Sequence, residues 1–110
     1  MLTIQDAIKS LREWKGKQTR YVLIDGRGDR CALGVLGGDD LKLVSSTTYS
    51  FKGDTDKGIL RDTTVDRIGE AYGIPLDLVV RMIQWNDINR LTFSQIADRL
   101  EAENEGRGNA

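Results

Sequence analysis

Three groups of residues have types and spacing that could do chemistry. The first is a glycine-dense turn leading into the single cysteine, DGRGDRCALGVLGG over residues 25–38, with five of the twelve glycines. The second is Asn86-Asp87 directly after Trp85, and the third is a run of basic groups between Lys9 and Arg30. A glycine-rich turn at a helix start can present backbone N–H groups to an anion. Residues 9 to 30 supply the charge for it: Lys9, Arg12, Lys15, Lys17, Arg20, Arg27 and Arg30 stand against Glu13, Asp25 and Asp29. Arg27, Gly28 and Arg30 are therefore candidate contacts for a small anionic ligand such as a nucleotide. Trp85, Asn86 and Asp87 form a second candidate site, a stacking ring followed by two polar readers. The same Asn-Asp pair after a helix also caps carbonyls and starts turns, which is its structural reading.

The chain contains no histidine and one cysteine, which removes most catalytic chemistry. A cysteine or serine nucleophile of the usual kind needs an adjacent base, normally histidine. Zinc sites built from Cys and His need more ligands than one cysteine supplies. The turn also lacks the third glycine of a dinucleotide fingerprint, since Cys31 stands in its place, and the Lys-Ser/Thr of a phosphate loop. The reading is thus a protein that is not an enzyme and carries no cofactor and no metal. Cys31 is expected to be a small buried hydrophobe at the start of a short helix over 31–37, and Gly34 a point of close packing. A thiol activated by Arg30 and a helix N-terminus is the competing reading.

The elements that must position these residues follow from periodicity. Ile4, Ala7, Ile8 and Leu11 share one helical face over residues 3–15, with Trp14 near its edge. Thr3 with Asp6 caps that helix and Gly16 stops it. The β-rich run RYVLI at 20–24 ends at Asp25-Gly26, a turn signal. From Leu41 to Phe51 the alternation predicts one or two further strands, followed by a loop through GDTDKG to residue 58. Asp62 or Thr63 opens a helix with Val65, Ile68 and Tyr72 inward, ending at Gly73. Pro75 is expected at the first position of the next helix, with Leu76, Val79, Val80 and Ile83 as its apolar stripe. Thr92 with Gln95 caps a last helix. The expected fold is α+β: a small antiparallel sheet over about residues 20–52 packed against four helices, with an all-helical C-terminal half. Residues 1–103 form one domain and 104–110 a flexible polar tail.

DRIGEAYGIPLDLVVRMI has the layout of a helix-turn-helix, with Gly69 and Gly73 at the small and turn positions. A DNA-reading second helix presents Arg, Lys, Asn or Gln outward. Here that face carries Pro75, Leu76, Asp77, Val80 and Arg81, and residues 62–103 hold eight acids against four basic groups. The expectation is a helix corner rather than a nucleic-acid reader.

With 110 residues, 39% apolar and 30% charged side chains and a net charge of −1, the chain reads as one globular domain. It lacks the basic excess of a nucleic-acid or membrane-surface binder and any run of the roughly 20 apolar residues a membrane span needs. MLTIQDAIKSLREW is patterned as an amphipathic helix rather than a secretion signal, and a lone cysteine suits a reducing compartment. A cytoplasmic monomer or homodimer is expected.

Cys31-Ala32-Leu33-Gly34-Val35-Leu36, then Asn86-Asp87, then Thr92-Phe93-Ser94-Gln95-Ile96-Ala97-Asp98-Arg99-Leu100-Glu101 occur in that order. This order resembles a family of small proteins of tailed phages and prophages, mostly without assigned activity. Its members read Cys-Cys-Leu-Gly-Val-Leu-Cys-Asp, Asn-Asp and Ser-Phe-x-x-Ile-Ala-Asp-x-Ile-Glu. The resemblance leaves residues 38–61 unmatched, and Arg30 and Gly37 stand where the family often has further cysteines. It implies a phage-type accessory protein in the cytoplasm of a bacterial host. Together with the composition, that points to action by binding, as a modulator or inhibitor of a host protein, with an anionic nucleotide as the alternative partner.

Overall fold

The computed structural model describes residues 2–45, 48–51 and 64–106. Its first helix, α1 (Ile4–Glu13), begins where the chain can satisfy its own first N–H groups. The Asp6 N–H donates to Thr3 Oγ1 at 3.3 Å while the Thr3 N–H donates to Asp6 Oδ2 at 2.8 Å. Ala7, Ile8 and Leu11 are its buried face. A short second helix, α2 (Ala32–Gly37), is buried along its whole length and is followed by a single 3-10 turn at Gly38–Asp40.

Strand β1 (Leu41–Ser45) pairs antiparallel with β2 (Thr48–Phe51), Leu41 opposite Phe51 and Leu43 opposite Tyr49, with a register shift between Leu43 and Ser45. Three helices complete the described chain: α3 (Thr64–Ala71), α4 (Leu76–Asp87) and α5 (Phe93–Gly106). The corner between α3 and α4 is closed by Gly73 at φ +68°, with the Ile74 N–H on the Gly69 carbonyl at 2.9 Å. Gly69 lets the two helices touch, since a Cβ there would lie 2.5 Å from Val79 Cγ2. α5 opens on the second expected cap, Thr92 N–H to Gln95 Oε1 at 2.9 Å and the Gln95 N–H to Thr92 Oγ1 at 3.2 Å.

α2 lies at the centre, packed against α1, α3 and α4, while α1 lies along α5. Leu33, Ile68, Leu78, Met82, Ile96 and Leu100 are fully buried and belong to one continuous core. Most of that core comes from the five helices.

The α+β class is therefore corrected. The protein is mostly helical, and among the described residues no sheet spans 20–52. The run at 20–24 is not a strand: it contributes one isolated bridge, Ile24 to Arg30, and Gln18 makes another with the same Arg30. The cause is local. Tyr21 adopts φ +70°, outside the extended region, and its N–H is drawn to the Asp87 carboxylate at 2.9 Å instead of a neighbouring strand. Two smaller boundaries also differ. Pro75 stands as the residue before α4 rather than within it. α5 continues to Gly106 and buries Asn104. The GDTDKG loop, the helix start at Asp62 or Thr63 and residues 107–110 lie outside the described residues.

Candidate functional site

The glycine-dense turn is organised by its first residue. Asp25 Oδ1 accepts from the N–H groups of Arg27 at 2.9 Å and Asp29 at 3.0 Å. Removal from water opposes the charge on Asp25. The two N–H groups and the Thr19 hydroxyl outweigh that and hold its carboxyl below the ordinary carboxylate range. Gly28 takes φ +84°, and its N–H closes the turn onto the Asp25 carbonyl at 3.0 Å. The chain then passes between two earlier segments. Thr19 N–H reaches the Arg30 carbonyl at 2.9 Å, Arg30 N–H the Lys17 carbonyl at 3.2 Å, and Cys31 N–H the Leu23 carbonyl at 3.1 Å.

Arg30 turns inward from this crossing. Its Nη1 donates to the carbonyls of Gly34 at 2.8 Å and Gly38 at 2.7 Å, and its guanidinium carbon lies 5.4 Å from the centre of the Trp14 ring. Those carbonyls belong to the end of α2, where helical partners run out and a cation is favoured. Burial lowers the Arg30 pKa from its ordinary value, with Asp39 opposing. The side chain expected to face an anion thus serves as the C-terminal cap of α2. Arg27 remains exposed.

Cys31 precedes α2 and is 8% exposed. Burial pushes its thiol up to about 11, against backbone N–H groups of the first turn that favour the thiolate. It is protonated at neutral pH, the opposite of an activated nucleophile. Gly34 allows α2 to lie on the Leu23 backbone: a Cβ there would stand 2.1 Å from the Leu23 carbonyl oxygen.

The structure brings the Cys31 region and the Asn86-Asp87 pair together. Asn86 is 1% exposed, and its amide is saturated. Oδ1 accepts from Gln18 Nε2 at 2.8 Å and from the Ala32 N–H at 3.0 Å. Nδ2 donates to the Thr19 carbonyl at 3.0 Å and to Asp87 Oδ1 at 2.8 Å. Two acceptor and two donor valences are thereby all used. Gln18 Nε2 also reaches the Leu91 carbonyl at 2.8 Å. Asn86 is a buried clasp joining the end of α4, the start of α2 and the loop at 18–21. Trp85, expected as a stacking platform, is 7% exposed and packs in the core.

Gln18, Thr19 and Tyr21 are the partners that sequence reasoning missed. Gln18 and Thr19 are the uncharged polar residues in a basic stretch, and nothing in their spacing marks them. Three surface grooves of about 380, 300 and 230 Å³ are lined by other residues, the largest by Leu2, Thr3, Ile4, Gln5, Tyr72, Gly73 and Asn104. Among the described residues no group of His, Cys, Asp and Glu could hold a metal ion, and no helix is long and apolar enough to cross a membrane. No family model, curated protein or solved structure matches this chain.

Proposed function

We propose that this chain is a small cytoplasmic accessory protein of the phage and prophage kind, acting by binding a protein of its bacterial host. What carries the reading is where apolar surface is left over. Leu76 and Val80, one turn apart on the outer face of α4, are 60% and 46% exposed, and Tyr21 and Ile88 are each 70% exposed. Solvent-facing aliphatic and aromatic groups of this size serve contact with another protein better than contact with water or phosphate. The polar groups with chemical potential face the other way. The Arg30 Nη1 bonds go to carbonyls, the Cys31 thiol is buried, and the Asn86 amide is filled.

The test is affinity capture from bacterial lysate followed by reconstitution with the purified captured protein. The expected result is a stoichiometric complex that survives gel filtration and is weakened by Leu76→Asp with Val80→Asp. Absence of any stoichiometric partner, or a shift in melting temperature with a nucleotide and with no protein, overturns it.

A further inference from the structure

Two segments of the chain, 15–22 and 86–91, run side by side. They are joined by Tyr21 N–H to Asp87 at 2.9 Å and by Gln18 Nε2 to the Leu91 carbonyl at 2.8 Å. Their outward residues share two properties. Tyr21, Val22 and Ile88 are exposed apolar groups at 70%, 37% and 70%. The same segments carry the exposed Lys15, Lys17 and Arg90 and the half-buried Arg20, whose Nε is buried, and none of the four forms an ion pair among the described residues. The one carboxylate in the two segments, Asp87, is turned back onto the Tyr21 N–H and the Asn86 amide. The two joined segments therefore carry exposed apolar groups and cations with no free carboxylate of their own, in a chain whose net charge is −1.

Backbone conformation singles out the same place. The two non-glycine residues with positive φ among those described are Tyr21 at +70° and Arg90 at +57°, one in each segment. A bulky residue in the left-handed region is uncommon, and the surrounding structure must hold it there. At Tyr21 the holding group is the Asp87 carboxylate, and the result is an aromatic ring presented to solvent.

We infer that this surface docks an acidic segment of a partner protein, with apolar side chains of that segment seated on Tyr21, Val22 and Ile88 and its carboxylates facing Lys15, Lys17, Arg20 and Arg90. This rests on the proposed protein-binding function and assigns a partner chemistry to the Tyr21, Val22 and Ile88 part of the exposed apolar surface, beside the Leu76 and Val80 stripe of α4. Charge complementarity supplies the choice of occupant: cations on the same segments as an apolar anchor speed encounter with an acidic partner and repel basic ones. A nucleic acid fits less well. Val22 and Ile88 offer no stacking face, and the net negative charge of the whole chain opposes a long polyanion.

The test selects random displayed dodecapeptides on the intact chain and measures the winners against four forms: wild type, Lys15→Glu with Lys17→Glu, Ile88→Asp, and Tyr21→Gly. The glycine variant releases the positive-φ constraint while deleting the ring, so its melting temperature should not fall below that of wild type. Selected peptides should be rich in Asp and Glu interspersed with Leu, Ile, Phe or Trp. Their affinity should drop about tenfold or more on each variant and weaken with salt. Peptides without acidic enrichment, or equal binding to all four forms, overturn the inference. So does tighter binding of an oligo-dT strand at physiological salt that is lost on the same variants, which would mark a nucleic-acid surface. A host protein captured equally well by the Lys15→Glu, Lys17→Glu form leaves the proposed function standing and removes this assignment. Acidic peptides without any host protein do the reverse.

Discussion

The α1–α5 pair and the crossing at residues 17–31 hold together by different means. In the helix pair each N-terminal end is finished by residues three positions apart, Thr3 with Asp6 and Thr92 with Gln95. The long-range polar contacts are exposed ion pairs, Arg12 to Asp98 at 2.7 Å and to Glu101 at 3.3 Å, which water screens. In the crossing, backbone bonds such as Thr19 to Arg30 and Cys31 to Leu23 are tied down by side-chain contacts from partners 54 to 73 positions away, the Asn86 and Gln18 ones buried or half-buried. One region is assembled from local preferences and the other from a few distant hydrogen bonds. The lesson is that cost should follow burial and partner count rather than the number of bonds drawn.

Gly34→Val attacks the crossing hardest, because even the Cβ has no room beside the Leu23 carbonyl. A loss above about 3 kcal/mol in urea unfolding, or failure to fold, is expected. Gly26→Ala, where a Cβ meets open space, is the control and should change little. Asn86→Ala should follow at about 2–3 kcal/mol, since it strips a partner from the buried Ala32 N–H, the Thr19 carbonyl and Gln18 together. A loss near that of an exposed bond would break the comparison.

Cys31 sharpens it through pH. The thiol titrates near 9.0 in the unfolded chain and near 11 in the fold, so the folded state holds the proton more tightly. That contribution is complete well below pH 9.0 and falls away as pH rises to about 11, by on the order of 3 kcal/mol. Unfolding measured across that window should decline more steeply for wild type than for Cys31→Ala, which itself costs about 1 kcal/mol at neutral pH. Native thiol labelling should be slow at pH 7 and accelerate on unfolding. Rapid labelling of the folded protein is the contrary result.

The helix pair should yield the smallest effects. Thr3→Ala should cost about 1 kcal/mol through loss of a reciprocal cap. Arg12→Ala should cost least of all, and less still in high salt. Thermal melts at two ionic strengths separate the two.

The legible parts of the sequence were those whose cause lies within a few residues. The apolar spacing of Ile4, Ala7, Ile8 and Leu11, the Thr3 and Thr92 caps and the Gly73 corner all mark real elements, and the short helix after Cys31 is present at Ala32–Gly37. RYVLI was misleading because β-rich side chains describe a surface that fits a sheet, and among the described residues no strand pairs with it beyond the single Ile24–Arg30 bridge. Arg30 was misleading for a related reason. A basic residue beside glycines suits an anion, but the unpaired carbonyls at the end of α2 are nearer, and its charge is spent on them.

What the sequence determined by itself was therefore the helical periods, their caps and the exclusion of histidine-dependent chemistry, because each depends on residue identity and short spacing. Only the tertiary structure decided that Cys31-Ala32 and Asn86-Asp87 meet, that Trp85 is interior while Tyr21 is exposed, and that Arg30 points inward. Those outcomes depend on which distant donors and acceptors are left unsatisfied once the core has formed. A buried amide such as Asn86 takes whatever partners packing brings within reach, and no local pattern encodes which they are.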